Sequence, residues 1–131
     1  MNYLYNLAAF LETEIPGLVL VYDDFTEASP EECTLIRDTG GTSSDDLDRE
    51  DHSVQCLSRF FDKLAGKAAI DSIYALLRKQ FHITLPEVTL DGVTYPAVVA
   101  WRILPRQTPT YIGDDENGKQ LHSVNFVVTI K

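Results

Sequence analysis

The sequence predicts a single α+β domain spanning residues 1–131, with a mainly antiparallel, mixed-order sheet of about four to six strands packed against two helices at about 3–13 and 63–80. Three observations lead there. Leu4, Leu7, Ala8 and Leu11 recur at helical spacing, and so, over a longer stretch, do Leu64, Ala68, Ile73, Leu76 and Leu77. Val124, Phe126, Val128 and Ile130 alternate with Ser123, Asn125, Val127 and Thr129, the period-two pattern of a strand with one face on a core. Asp91-Gly92 separates two short β-prone runs and supplies the positive φ that a tight hairpin turn requires.

In chain order, Asn2 is placed to cap the first helix, and Pro16-Gly17 stops it. Leu18–Tyr22 reads as a buried strand. An acidic turn from Asp23 to Glu32 leads to a second strand near Cys33–Asp38, and the two runs suit a hairpin. Thr39–Asp51 opens on Gly40-Gly41 and closes on a dense acid run, so it is expected to be a flexible, solvated loop. Ser53–Phe61 suits a central strand, and Asp62 is positioned to cap the second helix, with Lys67 and Asp71 paired one turn apart. The final third is β: a hairpin of Glu87–Leu90 and Val93–Tyr95, a strand from Ala97 to about Leu104, interruptions at Pro105 and Pro109, and a last strand from about Gln120 to Ile130.

A chain of 131 residues with 44% hydrophobic and 24% charged residues can bury one sizeable core without metal or disulfide support. No apolar run approaches the roughly 18–20 residues of a membrane helix, so neither a membrane protein nor a secretory signal is expected. Cys33 and Cys56 stand alone, without the spacing of a zinc or redox motif, and read as buried thiols suited to a reducing cytoplasm. The net charge of −9 is uneven. Residues 1–51 hold 13 acids against Arg37 and Arg49, whereas residues 52–131 hold 7 acids against 9 bases. Specific nucleic-acid binding needs a basic surface and is not expected.

No frame for catalysis is legible. Thr42, Ser43, Ser44 and Ser58 lack a nucleophile motif, and His52, His82 and His122 read as structural or surface residues. Gly113–Gly118 has the look of a calcium loop, but aligning Gly118 with the turn glycine puts Gly113 and Val124 at ligand positions that need carboxylates. A polar turn bending at Asn117-Gly118 explains the same residues. No cofactor, catalytic residue or metal ligand is assigned. Two surfaces remain as candidates: an acidic loop of Asp45, Asp46, Asp48, Glu50 and Asp51 facing a channel or partner, and the aromatic residues Tyr95, Trp101 and Tyr111 as subunit contacts, with core packing the equal or better reading for Trp101 in the middle of a strand.

Three segments together resemble the minor capsid, or tail-terminator, proteins of tailed bacteriophages: Leu35–Gly41, Ser53–Arg59 running into the alanine-rich helix, and Gly113–Gly118 with Asn125–Val128. The likeness covers roughly residues 35–130. It departs at Gly113-Asp114, where such proteins commonly carry Arg-Asp. The resemblance implies a structural virion protein without enzymatic activity, assembled in the host cytoplasm. Such a protein forms a homo-oligomeric ring, expected to hold six copies, that caps the tail tube, stops its polymerisation and joins the tail to the head. Its implied partners are itself, the major tail tube protein and the head-completion or neck proteins, with DNA passing through the channel unbound. The alternatives are a head-side connector of the same neck, a small metal-dependent hydrolase using the acidic loop, and an interaction module unrelated to viruses.

Overall fold

The computed structural model describes residues 3–44 and 49–130, which form two helices and nine strands. Helix α1 (Leu4–Glu14) is followed by β1 (Leu20–Tyr22), β2 (Cys33–Ser44) and β3 (Arg49–Phe60). Helix α2 (Lys63–Leu77) leads into β4 (Gln80–Leu85), the short pair β5 (Val88–Leu90) and β6 (Val93–Tyr95), then β7 (Val98–Pro105), β8 (Thr110–Asp114) and β9 (Gln120–Ile130).

Seven strands form one sheet in the order β1-β2-β3-β9-β7-β4, with β8 also on β9, while β5 and β6 pair separately. All pairs are antiparallel except β1 with β2. The sheet is therefore mixed and mainly antiparallel, as the sequence predicts, but larger than four to six strands. β4 and β8 are the additions. β4 begins where the helix was expected to continue: α2 ends at Leu77, and Lys79 adopts φ 59°, which no helix accommodates. The predicted hairpin of the first two strands is also corrected. β1 runs parallel to β2 because residues 23–32 cross back before β2 begins.

Both helices lie on one face of the sheet. There Leu4, Leu7, Ala8 and Leu11 of α1 and Ile70, Ile73 and Leu77 of α2 meet Ile36, Val54, Cys56, Val124, Phe126, Val128 and Ile130. Phe126, fully buried, is the largest of them. The alternation in β9 thus reads out as predicted: its even-numbered residues face the helices. The face of α2 is rotated from the expected one. Gly66, Ile70, Ile73 and Leu77 are buried, whereas Leu64 is 75% exposed and Ala68 also faces solvent. Gly66 sets that rotation, because an added Cβ would stand 3.2 Å from His122 Nδ1 and 3.4 Å from Phe60 Cβ. A side chain there would push on His122 and Phe60 by a few tenths of an ångström, so glycine suits the close approach of the helix to β3 and β9.

Local signals fix the ends. The Asp62 carboxylate accepts the Leu64 N–H at 3.0 Å, satisfying one orphan donor of α2. Lys67 pairs with Asp71 at 2.6 Å. Tyr3 occupies the N-cap position of α1 without a side-chain cap bond, and Asn2 lies outside the described residues. The β5–β6 turn is Asp91-Gly92 with φ of 51° and 78°. This pair of three-residue strands is too short to stand alone. It is tied to α1 by Asn6, fully buried, whose Nδ2 donates to the carbonyls of Pro86, Tyr95 and Pro96 at 2.8, 3.2 and 3.0 Å.

Candidate functional site

The acidic segment is in large part strand. Thr42 pairs with Asp51, Gly41 with His52 and Gly40 with Ser53, so residues 39–44 and 49–53 form the outer end of a β2–β3 hairpin rather than the expected loop. The close strand approach explains the glycine: an added Cβ on Gly41 would lie 2.0 Å from the Asp51 carbonyl oxygen. Asp45, Asp46 and Asp48 lie outside the described residues. Glu50 and Asp51 are in β3, on opposite faces.

On the helix side, Glu50 Oε1 is 3.0 Å from His52 Nε2, and His52 Nδ1 is 3.2 Å from Asp38 Oδ2. The Tyr3 hydroxyl donates to the same Asp38 oxygen at 2.5 Å, and its ring lies 4.4 Å from the imidazole. Burial works to raise the Asp38 pKa, but the bonds from Tyr3 and the Gly40 N–H, together with His52, outweigh it and hold the carboxyl below its ordinary value. Burial, then the Asp38 bond, drives the Tyr3 phenol far up. On the opposite face Asp51 accepts the Thr129 hydroxyl at 2.6 Å and lies 3.7 Å from Arg49. Both described acids of the predicted loop therefore have partners within the fold. For these two, the contacts with His52, Thr129 and Arg49 stand in for the solvation on which the loop expectation rested.

The three aromatic candidates are dispersed. Tyr95 is half-buried against Tyr5, with ring centroids 4.9 Å apart, and Tyr5 in turn meets Tyr22 edge-on. Trp101 is a surface residue, 42% exposed, which corrects the reading of it as core. The cause is a register shift between Ala100 and Arg102 that makes Trp101 an extra residue in β7 and turns it to the face away from the helices, beside His82 at 5.2 Å. Tyr111 is 43% exposed on β8, beneath the Lys63 ammonium. Its hydroxyl donates to Asp114, and that bond raises the phenol pKa.

Around Trp101 the structure collects residues that sequence reading passed over. Phe81 is 57% and Val99 48% exposed, and β4–β7 pairing sets both on the outer face with Trp101. Beside them stand His82, against Trp101, and the half-exposed Arg102, opposite Phe81; Lys79 is exposed at the start of the same edge, and Arg78 lies over the Tyr74 ring of α2. Residues 76–85 and 98–105 together hold three Arg or Lys and no acid. The opposite edge of the sheet is the more acidic: residues 15–32 hold five acids, Asp23, Asp24, Glu27, Glu31 and Glu32, all exposed, against Arg37, which lies 3.8 Å from Asp24, and Arg59, which donates to the Glu31 and Pro30 carbonyls. The pairing of β4 with β7, invisible without knowing that Gln80–Leu85 is a strand, is what brings this surface together.

Ser58 and His122, two of the hydroxyl and imidazole candidates, serve packing. Ser58 is buried and donates to the Gly66 carbonyl at 3.0 Å, fastening α2 to β3. His122 is buried under α2, and burial, then Lys63 and Lys67, holds its pKa below the ordinary value. Among the described residues no group of three or more His, Cys, Asp or Glu is placed to hold a metal ion. Residues 115–118 form the predicted polar turn between β8 and β9, where Asp115 Oδ1 accepts the backbone N–H groups of Asn117 and Lys119. No helix among the described residues is long and apolar enough to cross a membrane. No protein-family model matches the chain, and no curated protein matches it at a significant level.

Proposed function

We propose that this chain is a structural protein of a tailed bacteriophage, a tail terminator that forms a ring on the finished tail tube, halts its growth and presents a surface to the neck. The observation that carries this reading is where the family-like segments fall. Leu35–Gly41, Ser53–Arg59 and Asn125–Val128 lie on the adjacent strands β2, β3 and β9, and Arg37, Gln55 and Asn125 pair across all three. Segments distant in sequence that resemble one family thus belong to one continuous piece of the sheet, the expected outcome if the likeness reflects a shared core.

The surface supports assembly as well. A ring of identical subunits in head-to-tail contact needs two different, complementary patches on each copy. The two sheet edges differ in charge and in apolar character as that requires. The test is elongation: tail tube protein polymerised in the presence of the purified chain should give tubes that stop growing and carry density at one end. Unchanged tube growth with no end density would refute a terminator. The chain bound instead to the portal side of isolated heads would make it a head-side connector.

A further inference from the structure

We infer that copies of this chain join head to tail, the Phe81–Val99–Trp101 face of one copy seating in the recess beside β1 of the next. The two surfaces lie toward opposite ends of the strand order and on opposite faces of the sheet: the recess runs from β1 to Phe60 of β3 and to α2, and the knob lies on β4 and β7 away from the helices, so between about two and five spacings of ~4.8 Å separate them. That distance and opposed placement exclude a contact within one chain and suit a contact between copies. The recess is lined by Ile15, Leu18, Val19, Ala68 and Ala69, with Glu32 at its side, and measures about 250 Å³. It is smaller than most sites for small molecules, which occupy about 300–1,000 Å³, and has room for one or two side chains. Phe81, more than half exposed, is the knob available to fill it.

Charge supports a second copy as the occupant. On the knob's side stand Lys79 and Arg102, the latter linked to Asp51 through the Thr129 hydroxyl; Glu32 lines the recess, and Asp23, Glu27 and Glu31 are exposed in the neighbouring segment, where Arg37 and Arg59 are the bases in reach. The two edges of one chain are therefore complementary to each other and each repels its own kind, which favours a heterologous over a two-fold contact. Strand addition at β4 is disfavoured because His82, with φ 51°, breaks the regular ladder in the middle of that edge. The contact is made by side chains. This assignment deepens the ring reading and rests on it for closure of the chain of contacts into a ring.

The experiment mixes two single variants that leave knob and recess intact, Ser72→Cys at the rim of the recess and Thr84→Cys opposite Val99, at up to ~1 mM, where even a millimolar contact is half-formed, and treats them with a short bis-maleimide. The native Cys33 and Cys56 are buried. The expected result is a covalent dimer from the mixture and none above background from either variant alone. The yield should fall at least tenfold on adding Lys79→Glu with Arg102→Glu to the Thr84→Cys chain, and return when Glu27→Lys with Glu31→Lys is added to its partner. Trp101→Asp and Val99→Glu, both at exposed positions, should each abolish the product while circular dichroism stays native. Equal product from a single variant, or none from the mixture, overturns the proposal. So does capture of tail tube protein by this face with no capture of a second copy. A failed cross-link with tubes still terminated removes the edge assignment and leaves the terminator reading standing. A successful one with tubes unaffected does the reverse.

Discussion

Asn6 offers the sharpest test of how the β5–β6 pair is held. Its side chain is fully buried, its two amide hydrogens serve three carbonyls, and its Oδ1 is buried with no hydrogen-bond partner among the described residues. Replacement by leucine removes two hydrogen bonds and leaves the carbonyls of Pro86, Tyr95 and Pro96 short of a donor, a loss of about 2–4 kcal/mol. Removing the orphaned Oδ1 returns about 1 kcal/mol, so Asn6→Leu should cost about 1–3 kcal/mol. Asn6→Asp keeps the shape but points a carboxyl at three acceptors, and should cost about 3–5 kcal/mol at neutral pH. Burial raises the folded-state pKa of the introduced carboxyl above its unfolded value of about 3.9. Its penalty is therefore smallest below that value and grows as pH rises through the folded-state pKa. Urea unfolding at pH 4 and pH 7, with hydrogen exchange of residues 88–95, measures both effects. The reasoning is refuted if both variants lie within about 0.5 kcal/mol of the parent at pH 7 with protection of the β5–β6 pair unchanged.

Three further outcomes follow from the packing. Gly41→Ala should separate the outer ends of β2 and β3, because the new methyl meets backbone rather than a movable side chain; amide exchange at residues 41–44 and 49–52 should accelerate while the rest of the sheet stays protected. Cys56 is fully buried and its thiol is pushed up to about 12, so it should react with a thiol reagent at pH 8 only when the protein is unfolded, and native-state labelling would contradict its place in the core. Burial, then Lys63 and Lys67, lowers the His122 pKa in the fold, so the unfolded chain takes up a proton first as pH falls below about 6.5. Its share of stability is thus present above that value and lost below it, and His122→Leu should flatten the fall in urea midpoint between pH 7.5 and 5.5.

The sequence disclosed most where local chemistry and tertiary context agree. The alternation of Ser123–Ile130, the Asp91-Gly92 turn, the Asp62 cap and the α1 face of Leu4, Leu7, Ala8 and Leu11 are each settled by neighbours in sequence. β4 was hidden because Lys79 and His82, both at positive φ, interrupt any regular period. β8 was hidden by the prolines before it and by the register shift between Tyr111 and Gly113. Leu64 was misassigned because the helix face is chosen by Gly66 and its approach to His122, a contact 56 positions apart in sequence. The acid run suggested a loop because the partners of Glu50 and Asp51 include residues as remote as Thr129. Of the candidate contact residues, Trp101 and Tyr111 are exposed and Tyr95 is half-buried. The basic and aromatic face around Trp101 needed the β4–β7 pairing to exist at all.

Electron microscopy of particles assembled in the parent system without this protein, scoring tail length and capsid attachment, tests the central claim most directly. The terminator reading predicts overlong tails detached from filled capsids, corrected when the protein is supplied. Tails of normal length beside leaking capsids would contradict it in favour of a head-side connector, and normal virions would contradict any role in the neck.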